Sequence, residues 1–237
     1  MLGVARSGTT ALADLLNAHP EVALGMERFK RLLQRDRIEQ LTPALLEHDR
    51  FFDFSDKLTN LTPQHAGWAG ALYAQLEAKW DTARYVGDKL TAVPVEALRR
   101  QHPDARFVVI VRDILEVAAS WDKRATSADD PWKAGRDAAM AIRRWNEQST
   151  QTLAAARAWP EQVTIVEYSR LFGDPDAAAF RALLDRLGLS FEPAADAFTA
   201  AHTTYVDGVR DKERSVDPDV LAQADEAVWK ELVALSV

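Results

Sequence analysis

The chain contains no cysteine among its 237 residues. It therefore has no disulfide, no thiolate zinc ligand and no cysteine nucleophile, and this composition suits a reducing compartment. No apolar run reaches the roughly 20 residues that a membrane-spanning helix needs, and no signal peptide opens the sequence. We therefore expect a cytoplasmic protein without a membrane span.

Basic residues are fewer than acidic residues, 29 against 36, and the formal net charge is −7. A molecule with this charge does not attract nucleic acid or an anionic membrane as a whole, so no nucleic-acid partner is expected. Any anion that the protein binds must be held by a local basic pocket. The five histidines form neither an i, i+4 pair nor a cluster with metal-ligand spacing, and no metal is expected.

Short β-rich runs alternate with longer stretches of helical periodicity. The predicted strands are residues 2–5, 84–86, 107–111 and 163–166, and the predicted helices are residues 10–18, 28–47, 66–80, 94–101, 132–158, 177–187 and 219–235. Strands separated by helices imply right-handed crossovers and a parallel sheet. We therefore expect an α/β fold in which residues 1–237 form a single domain, with many helices around a central parallel sheet.

Two segments are predicted to be loops, residues 49–62 and residues 202–218. The first predicted strand is unusual, because Met1 and Leu2 leave almost no room before Gly3. Either this strand is very short, or the chain begins upstream of the residues shown.

The first motif lies between the first strand and the first helix, where the sequence runs Gly-Val-Ala-Arg-Ser-Gly-Thr-Thr over residues 3–10. Glycines at both ends let the backbone wrap around an anion, and the helix contributes free N–H groups and the positive end of its dipole. Thr9 occupies the position at which nucleotide-hydrolysing loops have lysine. The cation is instead Arg6, inside the loop. The alternative is a strand–turn–helix in which Thr9 or Thr10 caps the helix.

The second motif follows the continuous apolar strand 107–111, which suits a strand buried on both faces. Arg112 stands at the carboxyl end of this strand, where open α/β sheets bind ligands. Ser120 follows about two turns into the next helix, so both polar groups can converge on one anion. Taken alone, Arg112 paired with Asp113 and Ser120 on a helix face would be the plainer interpretation.

Together the two motifs resemble the donor-binding segments of the sulfotransferase superfamily, although Ile114 replaces a proline that is frequent there. The resemblance implies a P-loop NTPase-like three-layer fold and a sulfuryl donor, 3′-phosphoadenosine 5′-phosphosulfate, whose product is adenosine 3′,5′-bisphosphate. It further implies that the 5′-phosphosulfate is held by Arg6, Ser7, Gly8, Thr9 and Thr10, and the 3′-phosphate by Arg112 and Ser120. The late loop carries Arg210, Lys212 and Arg214, where relatives often close a basic flap over the 3′-phosphate.

Sulfuryl transfer by in-line displacement needs positioned charge and a base for the acceptor. Glu27 follows His19-Pro20-Glu21-Val22 and resembles the glutamate that serves as base in tyrosylprotein sulfotransferases. The alternatives are a carboxylate at a helix N-terminus and a histidine base elsewhere. Lys89 resembles the family lysine that stabilises the leaving phosphate, and its alternative is a solvated lysine at a strand end. Arg6 is also predicted to stabilise charge, because its loop holds it near the donor.

Two other functions remain open for the sequence: a P-loop-type nucleotide-dependent kinase, and a non-catalytic nucleotide-binding relative. The first would require a substitute for the lysine that Thr9 replaces. The second would be favoured if Arg6, Glu27 and Lys89 pointed away from the donor. The acceptor could be a small molecule, a carbohydrate, a lipid or a peptide, since acceptor pockets are built from variable loops. The oligomeric state is not predicted.

Overall fold

The computed structural model describes residues 1–64, 67–127, 130, 132 and 135–237. Within these residues, five parallel strands form one sheet in the order β2-β3-β1-β4-β5. The strands are β1 (Leu2–Gly3), β2 (Val22–Met26), β3 (Tyr85–Thr91), β4 (Phe107–Val111) and β5 (Val163–Glu167). The predicted α/β fold with a central parallel sheet is confirmed.

Helices connect the strands and cover both faces of the sheet. They are α1 (Thr9–Asn17), α2 (Lys30–Gln34), α3 (His48–Phe51), α4 (Gly67–Lys79), α5 (Val95–Gln101), α6 (Ile114–Ala125), α7 (Ala138–Ala158), α8 (Tyr168–Gly173), α9 (Ala178–Leu187), α10 (Ala195–Tyr205), α11 (Pro218–Leu221) and α12 (Glu226–Leu235). Short 3₁₀ turns lie at Ile38–Gln40, Pro43–Leu46, Phe54–Asp56, Trp80–Thr82 and Glu192–Ala194, and a π turn lies at Val206–Arg210. Among the described residues, no helix has the length and apolar character needed to cross a bilayer.

Two apolar cores lie on opposite faces of the sheet, because alternate strand residues point in opposite directions. One face packs against α4, α5, α7 and α12, with Val109 and Leu90 among its strand residues. The other face packs against α1, α8, α9 and α10, with Val108 and Ile110 among its strand residues. The result is the three-layer arrangement expected for a parallel sheet, whose strands are covered on both sides. A third cluster joins α6 to α7.

Two strands differ from the prediction. β2 was not predicted as a strand, although all five of its residues are buried as in β4. β3 continues to Thr91 instead of ending at Val86, so Lys89 lies inside the strand and not after it. Pairing explains both differences, because β2 and β3 match residue by residue from Val22–Tyr85 to Met26–Lys89. This long-range contact stabilises strands whose local sequence contains glycine and charge.

The predicted helix over residues 28–47 is wrong, because only Lys30–Gln34 is α-helical there. Asp36 adopts a left-handed backbone conformation with φ 53°, and Pro43 begins a separate 3₁₀ turn. Arg28 is fully buried. Its guanidinium donates to the main-chain carbonyls of Phe51 and Asp53, at 2.7 Å each, which ties this segment to the next one.

The remaining predictions differ mainly at their boundaries. Ala66, the start of the helix predicted over residues 66–80, lies outside the described residues, and the helix predicted over residues 132–158 begins at Ala138 as α7. The last predicted helix divides into α11 and α12, since the Asp225 side chain caps a new helix by accepting from Val228 N. Both predicted loops contain some helix, namely α3 in the first and the end of α10 with the π turn in the second.

Replacement of Gly3 by alanine should disturb the end of β1. A Cβ at this position would lie 2.7 Å from Ser7 Oγ, 2.7 Å from Thr9 Cγ2 and 2.8 Å from the Ile110 carbonyl oxygen. Because the last of these is backbone, we expect Gly3→Ala to lower the free energy of unfolding by about 2–3 kcal/mol. The matched control is Gly87→Ala in β3, whose Cβ would meet Leu24 at 3.4 Å. Urea denaturation should show a change of less than about 1 kcal/mol for the control; equal losses in both variants would contradict the prediction.

Candidate active site

The loop between β1 and α1 is a tight turn with two residues in the left-handed region. Arg6 has φ 75° and Gly8 has φ 94°. Ser7 closes the turn from inside, because both its N–H and its hydroxyl donate to the Val4 carbonyl, at 3.1 and 2.7 Å. The Ser7 side chain is therefore buried in the loop. What the loop can offer to an anion is the backbone N–H groups that follow Ser7, as the glycine spacing predicts.

The start of α1 is open to an anion. Gly8 occupies the N-cap position and has no side chain that could accept from the first-turn N–H groups. Thr9 is buried and Thr10 is exposed at this end of the helix. The ring of Tyr168 lies so close that a Cβ at position 8 would meet it at 2.4 Å. Glycine is thus required here both by its positive φ and by the aromatic ring beside it.

The structure brings Arg6, Arg112 and Ser120 together. The Arg6 Nε donates to Ser120 Oγ at 3.1 Å, and this hydrogen bond joins the loop to α6. The Arg112 Nη1 donates to the Arg6 carbonyl at 3.2 Å. Because β1 and β4 are neighbours in the sheet, the two motifs meet at the same edge although they are separated by more than 100 residues. Two cations and a hydroxyl in one place can hold an anion with several phosphate oxygens.

Glu116, which is not among the predicted site residues, lies beside Arg112. It accepts from Arg112 Nε and, at 3.0 Å, from Arg214 Nη2. The late loop therefore reaches the end of β4 through Arg214, while Arg210 stays at the surface paired with Asp211. The ring of Tyr168 packs under the Arg112 guanidinium, with 4.0 Å from Cζ to the ring centroid. The i, i+4 spacing of Arg112 and Glu116 was the signal available in the sequence.

A third arginine increases the positive charge around the loop. Arg124, on α6, pairs with Asp130 at 2.7 Å and packs over the Trp132 ring. Burial, together with the charges of Arg124 and Arg112, lowers the pKa of Arg6 below its usual value. These cations repel one another, so an anion bound between them is stabilised by the field that they share.

Glu27 and Lys89 form an ion pair on the other side of the loop. Glu27 follows β2 with φ 55°, and its Oε1 lies 3.0 Å from the buried Lys89 Nζ. Its Oε2 accepts from Lys30 Nζ. Burial alone would raise the pKa of Glu27, but the charge of Lys89 and the hydrogen bonds from Lys30 and Lys89 lower it below the usual value. Glu27 is therefore an ionised carboxylate held by two lysines.

A buried carboxylate supports the turn at Glu27. Asp88 Oδ1 accepts from Arg28 N at 3.0 Å, and Oδ2 accepts from Phe29 N at 2.9 Å. The Arg28 side chain adds an ion pair with Asp56 at 2.7 Å. Burial raises the pKa of Asp88 to about 6, although the two N–H donors act in the opposite direction. Both oxygens of Asp88 are thus used by the backbone and not directed at a ligand.

The predicted site residues therefore fall into two groups at the carboxyl edge of the sheet, on either side of β1. Arg6, Arg112 and Ser120 are on the β4 side, and Glu27 and Lys89 are on the β3 side. His19 does not lie at this edge, because it is buried just before the amino end of β2. The structure therefore does not place His19 where a histidine base would be needed. Among the described residues, no cluster of three or more histidine and carboxylate side chains could hold a metal.

Comparison with known proteins gives one family and one fold. The model of the sulfotransferase family matches residues 1–193. A protein from Caenorhabditis briggsae, named as a protein-tyrosine sulfotransferase, is 26% identical over 180 residues, which cover 73% of this chain and 59% of that protein. The chain thus spans about three fifths of the length of this relative.

Two solved structures share the fold over nearly the whole chain. The sulfotransferase domain of the Synechococcus PCC 7002 olefin synthase superimposes with a TM-score of 0.56 at 16% identity, covering 98% of this chain and 92% of that domain. The sulfotransferase domain from the curacin biosynthetic pathway gives a TM-score of 0.50 at 14% identity, covering 100% of this chain and 90% of that domain. At these identities the likeness shows the fold alone.

Asp88 should impose a pH dependence on stability. Its pKa in the folded protein, about 6, exceeds its usual unfolded value, so the folded protein binds the extra proton between about pH 4 and pH 6. Stability from this group is present below pH 4 and falls as the pH rises to about 6, by about 2–3 kcal/mol. Asp88→Asn should remove this component of the slope, because asparagine does not titrate. Urea denaturation from pH 4 to pH 7 measures it; an unchanged slope in the variant would refute the assignment.

Proposed function

Because the chain belongs to the sulfotransferase family, we propose that it transfers a sulfuryl group from 3′-phosphoadenosine 5′-phosphosulfate to a hydroxyl or amine acceptor. The observation that carries the proposal is the joining of Arg6, Arg112 and Ser120 around the open N-terminus of α1. The net charge of the molecule is −7, so a local cluster of arginines is unusual for it. Such a cluster indicates an anion-binding site.

In this proposal the two phosphate-bearing ends of the donor bind to different parts of the site. The 5′-phosphosulfate lies against the backbone N–H groups of the loop, with Arg6, Ser7, Gly8, Thr9 and Thr10 around it. The 3′-phosphate binds to Arg112 and Ser120. Ser7 contributes the closure of the loop, since both its N–H and its hydroxyl donate to the Val4 carbonyl. Glu116 pairs with both Arg214 and Arg112 and so keeps Arg214 close to Arg112. Arg214 can therefore add positive charge at the 3′-phosphate.

The reaction is a displacement at sulfur. The acceptor oxygen forms a bond to the sulfur atom as the bond between sulfur and the bridging oxygen of the 5′-phosphate breaks. Glu27 takes the proton of the acceptor hydroxyl, and adenosine 3′,5′-bisphosphate leaves with the electron pair of the broken bond. Arg6 and Lys89 stabilise the negative charge that grows on the leaving phosphate. The residues of the loop hold the donor in line with the acceptor.

The ion pair of Glu27 with Lys89 links donor binding to the base. While both lysines contact Glu27, its pKa lies below the usual value and the carboxylate is a weak base. In this proposal the donor phosphate is a second anion that Lys89 can contact. When Lys89 moves its interaction from Glu27 to the donor, the pKa of Glu27 rises and the carboxylate becomes a better proton acceptor.

The acceptor class follows less directly from the site. The relative from Caenorhabditis briggsae carries the name of a protein-tyrosine sulfotransferase, so tyrosine-containing peptides are the first acceptors to test. The chain covers only part of that relative, and small alcohols, carbohydrates and lipids belong in the same screen.

Donor binding should depend on Arg112. Calorimetry with adenosine 3′,5′-bisphosphate should show binding without magnesium, and Arg112→Ala should weaken it by about 10- to 100-fold, because a charge-assisted contact to the 3′-phosphate is lost. Arg144→Ala is the matched control, since Arg144 is an exposed arginine on α7 paired with Glu147. Magnesium-ATP serves as the competing ligand. Stronger binding of magnesium-ATP than of the bisphosphate would support a kinase instead.

Turnover should depend on Glu27 more than binding does. Glu27→Gln keeps the shape of the side chain but removes the proton acceptor, so we expect kcat to fall by about 10²-fold or more, while the bisphosphate binds at least as tightly as before because Lys89 is released from Glu27. Glu192→Gln, an exposed glutamate outside the site, provides the control. Transfer from the donor to a tyrosine peptide or another accepted alcohol is the assay. A selective loss of bisphosphate binding would make Glu27 a support of the loop and not the base.

A further inference from the structure

The carboxylate of Glu116 lies between two arginines at the proposed 3′-phosphate site. Its Oε2 accepts from Arg112 Nε, and its Oε1 lies 3.0 Å from Arg214 Nη2. Each of the three side chains is only 13–14% exposed. Water and salt therefore screen these charges less than they screen an ion pair on the surface.

A glutamate at this position has a simpler explanation, which accounts for only part of its contacts. Glu116 lies in the first turn of α6, where the helix dipole stabilises a carboxylate, and Arg112 precedes it by four residues. A carboxylate with this role alone needs no partner outside its own segment. Glu116 also pairs with Arg214, which belongs to a loop almost 100 positions later. It therefore joins two distant segments of the chain.

The guanidinium of Arg112 is restrained on three sides. Glu116 accepts from its Nε, the Arg6 carbonyl accepts from its Nη1 at 3.2 Å, and the ring of Tyr168 packs against its face. An arginine has five N–H donors, so these two hydrogen bonds leave three of them, on Nη1 and Nη2, for a ligand. The restraints thus fix the direction in which Arg112 can present donors to phosphate oxygens.

Arg214 organises the loop between the π turn and α11. Its Nη1 donates to the Lys212 carbonyl at 2.8 Å, and its Nη2 donates to the Val209 carbonyl at 2.6 Å. The loop is thus wound around its own arginine, and the contact with Glu116 fixes it to α6. Val209 and Val216, on either side of Arg214 in sequence, pack against apolar clusters. The loop therefore does not depend on the ion pair alone for its place in the fold.

The shared carboxylate makes two like charges compatible at one point. The guanidinium groups of Arg112 and Arg214 repel each other, and the charge of Glu116 offsets this repulsion. Two positive charges and one negative charge leave a net charge of +1, so the group still attracts an anion. Because both arginines are already oriented, a phosphate that binds them loses less side-chain conformational entropy.

We propose that Glu116 is a positioning residue that holds Arg112 and Arg214 at one point, and that this shared contact determines how strongly the protein prefers nucleotides with a 3′-phosphate. The inference rests on the proposed function and deepens it, because it concerns the selectivity of the same donor site. Glu116 acts through the two arginines. The 5′ end of the nucleotide is bound by the loop after β1, so its binding is expected to be independent of Glu116.

Two nucleotides separate an effect at the 3′-phosphate from an effect on the whole site. Adenosine 3′,5′-bisphosphate and adenosine 5′-phosphate differ only in the 3′-phosphate. In calorimetry at about 0.15 M salt, which screens long-range charge effects, Glu116→Gln should weaken the bisphosphate about tenfold and change the monophosphate less than about twofold. Glu96→Gln is the matched control, because Glu96 forms an exposed i, i+4 pair with Arg100. It should change neither Kd by more than about twofold.

Three results would contradict this inference. Equal weakening of both nucleotides would make Glu116 a support of the whole fold. Tighter binding of the bisphosphate to the Glu116→Gln variant would make the carboxylate a competitor of the phosphate. A wild-type protein that binds neither nucleotide would refute the proposed function and this inference with it, whereas the first two results leave the proposed function standing.

A double-mutant cycle tests whether Glu116 acts through Arg112. In the Arg112→Ala background, Glu116→Gln should weaken the bisphosphate less than about threefold, because only Arg214 then remains to be held. An undiminished tenfold loss in this background would show that Glu116 acts independently of Arg112, and would overturn the proposal.

Arg214→Met tests the same contact from the loop side. It leaves the pair of Arg112 with Glu116 in place, so it tests the proposal even if Glu116→Gln does not fold. This variant should weaken the bisphosphate by about threefold or more, with the Kd of the monophosphate changed less than about twofold. An unchanged Kd for the bisphosphate would overturn the shared role of the carboxylate.

Discussion

The parallel sheet with β1 at its centre is the constraint on which the site depends. All five described strands run in the same direction, so their carboxyl ends meet at one edge. The anion loop follows β1, and the neighbours of β1 are β3, which carries Lys89, and β4, which leads to Arg112. The strand order therefore places the loop cation and the second arginine on one side of β1 and the lysine on the other, at the same edge of the sheet. No local interaction could do this, because the three belong to distant parts of the chain.

Electrostatics gives this edge its chemical character. The molecule as a whole is anionic, yet Arg6, Arg112 and Arg124 gather around one loop. Glu116 compensates for part of this charge by pairing with Arg112 and Arg214. This pairing keeps the arginine side chains oriented before an anion binds. Binding then loses less side-chain conformational entropy. In the proposed function Glu116 therefore prepares the 3′-phosphate site without itself contacting the donor.

A buried carboxylate holds the other half of the site. Asp88 fixes the left-handed turn at Glu27 through the N–H groups of Arg28 and Phe29. Arg28 then connects this turn to the segment that ends at Asp56. Removal of one partner from such a network leaves a buried charge or polar group unsatisfied, which costs more than the hydrogen bond itself contributes. The position of Glu27 thus depends on residues that were not candidates for the chemistry.

The sequence by itself determined the fold class and predicted an anion-binding loop after β1, because glycine spacing and a continuous apolar strand are local patterns that leave few alternatives. It did not determine β2 or the full length of β3, whose strand structure depends on pairing between residues about 60 positions apart. It also misassigned residues 28–47, because a helical pattern was overridden by the burial of Arg28. Only the tertiary structure decided that Glu116, Arg214 and Asp88 support the site, since contacts between side chains distant in sequence leave no periodic signal.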